Sequence, residues 1–188
     1  MAVPLPMGHA AIGLTTYGVC NSDEPILSRW KVFAGVVVLS NLPDIDILVG
    51  LLVRGNGNAF HRGPTHSLLF ALTAGLLAAN AWRLWPKAPR FGFATGFLVT
   101  LSHVLADALL TQSQVSFLWP LSVNWSHGHM GWHDLIGSVL LGSFRDFEIV
   151  AACGLFLFLY RWTRGFRIFE RRSRTAIVSK VRRGPSSG

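Results

Sequence analysis

Two histidines and an arginine crowd a Gly-Pro pair in HRGPTHS, residues 61–67, directly ahead of the apolar run LLFALTAGLLAAN. His61 and His66 can bind protons or metals, and Arg62 carries a planar guanidinium fork suited to an anion. Pro64 fits the first position of a helix and Gly63 the cap before it. The pattern predicts a helix start that puts His66 in the first turn, where free backbone N–H groups gather and an anion such as phosphate can bind. A loop that merely meets lipid headgroups would account for the arginine. It gives no reason for two histidines around Gly-Pro.

Four other places carry similar chemistry. In HVLAD, His103 and Asp107 are four apart, which puts both on one helix face inside the apolar run LVTLSHVLADALLT. An aspartate within a membrane segment costs about 2.5–3.5 kcal/mol unless it meets a partner or a wet cavity. In NLPDID, residues 41–46, Pro43 is expected to push Leu42 out of the helical region and break the chain, freeing Asp44 and Asp46 to face a polar cavity. Capping of the following helix explains one of these aspartates easily and both poorly. His9 sits early on a short apolar segment, where an interfacial role competes with a ligand role. SHGHMGWHD, residues 126–134, adds His127, His129, His133 and Asp134, a local tract that binds metal in many proteins but equally makes a wet loop, and it ranks below the other sets.

Each set alone is a weak signal. Together, His9, Asp44, Asp46, His61, His66, His103 and Asp107 make an imidazole–carboxylate group suited to Zn2+, Mn2+ or Fe2+, one ion or two. A metal so held lowers the pKa of water towards 7 and makes hydroxide available for hydrolysis. Arg62 would hold an anionic substrate such as a phosphoester, and Asp44 or Asp46 could serve as general base. No GxSxG, P-loop or Cys–His pairing favours a side-chain nucleophile.

The elements that must position these residues are membrane helices. Of 188 residues, 51% are hydrophobic and only 14% charged, too few to cover a water-facing surface, where about a quarter is usual. Apolar segments are expected at 7–20, 32–53 (interrupted by NLPDID), 64–82, 91–111 and 147–160. Only the third and fourth approach the ~20 residues that span a bilayer. No strand alternation is evident, so the expected fold is an all-α membrane bundle of four to five short helices, some broken or re-entrant. The first segment lacks the features of a cleaved signal peptide and reads as a retained helix. Cys20 and Cys153 form no disulfide framework.

Sidedness follows from the loop charges. Arg29 and Lys31, then Arg83, Lys87 and Arg90, then the tail from Arg161 fall on one side of alternating helices, which the positive-inside rule makes cytoplasmic. All seven histidines then fall on the opposite, extracytoplasmic side. Two parts follow: a membrane-embedded helical domain over 1–160 and a basic cytoplasmic tail over 161–188. That tail holds nine of the 17 Lys and Arg, and anionic lipid is a better match for it than nucleic acid.

The order of motifs is itself recognisable. His9 on a short helix, then PDID, HRGPTHS, SHVLADALLT and LWP (118–120) resembles the YdjM-like family of inner-membrane-associated metal-dependent hydrolases, over about residues 7–122. The resemblance implies a divalent metal and matches His9, Asp44, Asp46, His61, Arg62, His66, His103 and Asp107. The same order of His, Asp, His and HxxxD also looks like that of zinc-dependent phospholipase C and related nucleases, an analogy of order rather than of fold. The expected function is a membrane-bound metal-dependent hydrolase of a phosphoester, with membrane lipids as surroundings and possible substrate. The alternative is a non-enzymatic membrane protein, for metal or proton translocation or scaffolding, built on the same His/Asp cluster.

Overall fold

A computed structural model describes residues 6–21, 29–110, 115–121 and 146–164, and in these the chain is all helix and loop. Helices α1 (Pro6–Cys20), α2 (Trp30–Asn41), α3 (Ile45–Arg54), α4 (Leu68–Leu84) and α5 (Phe93–Leu110) follow in order, and residues 146–164 form a further helix, α6. The basic tail beyond residue 164 and the tract with His127, His129, His133 and Asp134 lie outside the described residues.

The bundle is assembled around α5, against which α1, α2 and α4 all pack. Its buried residues Val99, Thr100, His103, Val104 and Asp107 repeat with the period of an α-helix, so one stripe carries both apolar core and site. Small residues bring the backbones together. On α4 the buried stripe is Ala71, Ala74, Gly75 and Ala78. A side chain at Gly96 would stand 2.9 Å from Ala78 Cβ and 3.2 Å from Gly75 Cα, so α4 and α5 touch almost backbone to backbone. Gly13 does the same for α1 and α2: a Cβ there would meet Ser40 Cβ at 2.4 Å.

The opposite helix faces are greasy. Leu69, Leu72, Leu76 and Leu77 on α4, and Leu98, Leu105 and Leu109 on α5, are exposed, while Ser40, Thr100, His9, His66, His103 and Asp107 are buried. Polar inside and apolar outside is the arrangement for lipid surroundings.

Two sequence expectations need correction. Pro43 does not break the chain. Leu42 stays in the right-handed helical region (φ −61°, ψ −37°), and Leu42–Asp44 forms a tight 3-10 turn between α2 and α3. Proline is harmless there because it occupies the first turn, where no backbone N–H is needed. The path Trp30–Arg54 therefore runs on for 25 residues, the one described helical path long and apolar enough to cross a membrane, while α4 and α5 are the shorter apolar helices. The second correction concerns HRGPTHS. Pro64–His66 is a separate 3-10 turn, and α4 begins at Leu68 with Ser67 as its cap, its Oγ accepting from Phe70 N–H at 3.1 Å. His66 lies ahead of the helix, not in its first turn.

The close α4–α5 crossing is testable. Gly96→Val should overpack it, cost about 1–3 kcal/mol, and lower the unfolding temperature in detergent by several degrees. Gly154→Ala, where nothing lies within 4 Å of the added carbon, should not lower that temperature and, in a helix interior, should raise it slightly.

Candidate metal centre

One end of the bundle gathers the start of α1, the α2–α3 turn, the loop before α4 and the last turns of α5. Their side chains His9, Asp44, Asp46, His61, Arg62, His66, His103 and Asp107 come together there, as the sequence reading expected. All but Asp44 are buried, and the Asp44 side chain keeps 19% exposure.

His103 is aimed by the backbone. Its Nδ1–H donates to the Ser40 carbonyl at 2.7 Å, which leaves the Nε2 lone pair pointing inward. Gly13 lets α1 approach Ser40 closely, and this brings the His9 ring flat against His103, centroids 3.8 Å apart. His9 Nε2 stands 3.4 Å from Asp107 Oδ1, yet neither ring nitrogen of His9 makes a hydrogen bond of good geometry.

Asp46 aims the other two imidazoles. Its Oδ1 takes His61 Nδ1 at 3.0 Å, and its Oδ2 faces His66 Nδ1 at 3.2 Å. The same Oδ2 accepts the Arg62 backbone N–H at 3.2 Å and the Thr65 hydroxyl. Asp44, by contrast, caps nothing and turns its Oδ1 to His66 Nε2 (3.6 Å) and His103 Nε2 (3.4 Å). The two aspartates of PDID thus divide the work. Asp44 faces the centre, while Asp46 sits behind the imidazoles and fixes their tautomer and tilt.

With both Nδ1 atoms committed to oxygens, His66 Nε2 and His103 Nε2 confront each other at 3.2 Å. Two bare lone pairs at that distance repel, so the contact calls for a cation or a proton. Three groups of side chains could hold an ion: His9, Asp44 and His103; Asp44, His61 and His66; and His66, His103 and Asp107. Their shared members allow one ion or two neighbouring ones. The buried charge argues the same way. Among the described residues, Arg62 is the fixed cation paired with Asp107, and Asp44 and Asp46 face imidazoles, a carboxylate excess that a divalent ion would offset.

Arg62 is held in an unusual backbone state, φ +62°, which a non-glycine residue seldom adopts. Its N–H goes to Asp46, its carbonyl accepts from Ser116 N–H at 3.0 Å, and its Nε donates to Asp107 Oδ2 at 3.0 Å. Its Nη2 is buried without a hydrogen-bond partner. Strain maintained from three sides is a mark of functional sites.

Three supporting residues escaped the sequence reading. Ser40 contributes only a carbonyl, Thr65 a hydroxyl beside the imidazoles, and Asp146 a carboxylate to the start of α1. Asp146, buried at the head of α6, accepts from Gly8 N–H at 2.9 Å, one residue before His9. Its partner lies 138 positions away, so no local pattern could reveal it. The acid in RDFE at a helix start was the available sign.

Two outcomes follow. Asp46→Asn keeps the shape but leaves one acceptor oxygen for His61 and His66 in place of two and removes the charge, and should weaken divalent-metal affinity about 10–100-fold in a chelator-competition titration. The second concerns pH. Burial opposes a charge on His66, but the facing carboxylates of Asp107, Asp44 and Asp46 outweigh it and hold its pKa well above the usual histidine range. In the metal-free protein His66 therefore keeps its proton at neutral pH, and a metal must displace it. Affinity should rise with pH across about 6–8, with roughly one proton released per ion bound, measured by calorimetry in buffers of different ionisation enthalpy.

Comparisons with known proteins show the family. The model of the family described as YdjM inner membrane protein matches residues 5–172. The match runs well past residue 122, into a stretch where the motif order carried no resemblance. Inner membrane protein YbcI of Escherichia coli (strain K12) is 37% identical over 123 residues, 64% of this chain and 69% of that protein. No solved structure matches. The family match spans most of the chain, the fold is a polar-cored helical bundle, and the protein belongs to the YdjM family of inner membrane proteins.

Proposed function

We propose that the cluster is the centre of a membrane-bound, metal-dependent hydrolase of phosphoesters, on the extracytoplasmic face of the inner membrane. The observation that carries this reading is the 3.2 Å approach of two imidazole Nε2 atoms whose other nitrogens are already committed. Ligands at 2.0–2.2 Å from a tetrahedral zinc stand about 3.4 Å apart. His66 Nε2 stands 3.2 Å from His103 Nε2 and 3.5 Å from Asp107 Oδ2, close to that spacing, so Zn2+ is the favoured ion, with Mn2+ and Fe2+ as substitutes.

His66, His103 and Asp107 would hold the ion, with His9 and His61 beside a second position. An ion there supplies a Lewis acid and lowers the pKa of water towards 7. The chain's own groups do the rest. Arg62 Nη2, buried and unpaired, donates to a phosphoryl oxygen while Nε stays locked to Asp107. Asp44, the one member of the cluster open to solvent, takes the proton of the attacking water. Asp46, with both oxygens occupied, is a positioning residue rather than the base. A lipid-borne ester suits the approach, because Leu48, Val49, Leu52 and Val53 of α3 are exposed beside the site.

The translocation reading needs a polar route to the other end of the bundle. Among the described residues, the apolar core of Tyr17, Val36, Leu39, Ala78 and Val99 lies on that route, which favours the enzyme.

The test is turnover by metal-loaded protein in detergent, on a chromogenic phosphodiester and on phospholipid. Chelation should abolish it. Arg62→Lys should lower kcat/KM about 100-fold while metal content stays at the parent level. Fully metal-loaded protein that hydrolyses neither substrate would defeat the proposal.

A further inference from the structure

A cavity lies at the opposite end of the bundle from the metal centre. It holds about 640 Å³ and is lined by Arg29, Lys31, Lys87 and Arg90, with Trp30 at its edge, and among the described residues its wall holds no carboxylate. A volume of that size is ordinary for a small-ligand site. Along α5, Thr95 at the cavity and Asp107 at the metal centre are twelve residues apart, about 18 Å at the rise of an α-helix. None of the cavity's lining residues belongs to the metal centre.

The cavity is a built feature. The loop after α4 is docked onto α2, so that a side chain at Gly35 would meet the Phe91 ring at 2.8 Å and Pro89 Cγ at 3.0 Å. Tyr17 of α1 meets Phe91 edge to face with centroids 6.3 Å apart. Arg90 is propped over the Trp82 ring, 4.7 Å from its centroid, which orders the side chain and leaves its edge donors for a ligand. Two long helices also begin here. Neither α2 nor α5 has an acid in its first turn, and the residue capping α2, Arg29, makes no side-chain cap. Their partial positive ends add to the four basic side chains.

What surrounds the cavity identifies its occupant. Trp30, Leu84 and Trp85 are 71%, 90% and 66% exposed at the ends of apolar helices. Tryptophan at that level belongs to the membrane–water boundary. A ligand here would place a negative group among Arg29, Lys31, Lys87 and Arg90 and its apolar part along an exposed greasy flank. We propose that this cavity binds the phosphate headgroup of an anionic phospholipid.

The test uses the full-length protein in detergent, with unfolding temperature and tryptophan fluorescence read during titration with dioleoylphosphatidylglycerol. Dioleoylphosphatidylcholine and inorganic phosphate serve as comparison arms. A saturable response to phosphatidylglycerol alone is expected, weakening steeply as KCl rises from about 50 to 500 mM. Lys31→Gln/Lys87→Gln changes two exposed side chains and should weaken the response about tenfold or more, while metal content stays at the parent level. Arg90→Gln provides a second variant with the same expected direction. An equal response to phosphatidylcholine, or saturation by inorganic phosphate alone, would overturn a phospholipid site. So would unchanged phosphatidylglycerol binding in both variants. Loss of metal without loss of lipid response would bear on the hydrolase reading and leave this one standing.

Discussion

Two imidazoles facing each other through their Nε2 atoms make an arrangement that a protein must hold in place. His103 is turned by the Ser40 carbonyl, and His66 by Asp46, so neither ring can rotate its N–H into the gap without losing a buried hydrogen bond. The neighbouring carboxylates add negative charge around the same point. A proton can fill the gap at modest pH, and a divalent ion fills it better by cancelling the surplus charge as well. The surroundings are organised to keep that demand in place. Gly13 sets α1 against Ser40, and the α4–α5 crossing at Gly75 and Gly96 sets the loop before α4 against the end of α5.

Membrane packing makes this economical. With apolar chains outside, hydrophobic burial cannot by itself draw the helices together, and close contact between small residues takes over. Backbones that approach so closely leave little room for large side chains in the interior. The polar residues at one end therefore meet each other directly, and the apolar residues Tyr17, Val36, Leu39 and Val99 close the middle. The other end of the same helices opens into a basic cavity. The two ends differ in charge for one reason: each loop set contributes its own ionisable groups to a bundle whose middle has none to spare.

Much of the site could be read from sequence because it depends on local spacing. His103 and Asp107 share a face through the four-residue step of a helix, and the convergence of His9, the 61–66 loop and the end of α5 follows from alternating helix directions. The details that were missed depend on tertiary contacts or on turn geometry. Pro43 was expected to break the chain, but a 3-10 turn absorbs it, because its missing N–H falls where none is required. Pro64 was read as the first residue of α4 with Gly63 as its cap, yet Ser67 is the cap and the helix starts at Leu68. Asp44 and Asp46 look equivalent in PDID. Only the turn between them decides that one faces the centre and the other supports it from behind. The role of Asp146 was missed because the Gly8 N–H it accepts lies far away in sequence. The histidines at 127, 129 and 133 lie outside the described residues, so the structure adds nothing to their reading.

The most direct measurement is elemental analysis of folded, detergent-purified protein, before and after dialysis against divalent metal. The account predicts at least one divalent ion per chain, lost in His66→Ala and His103→Ala and retained in a surface variant such as Lys87→Gln. Parent protein that folds without metal and cannot be loaded, or a His103→Ala variant that binds as much metal as the parent, would contradict it.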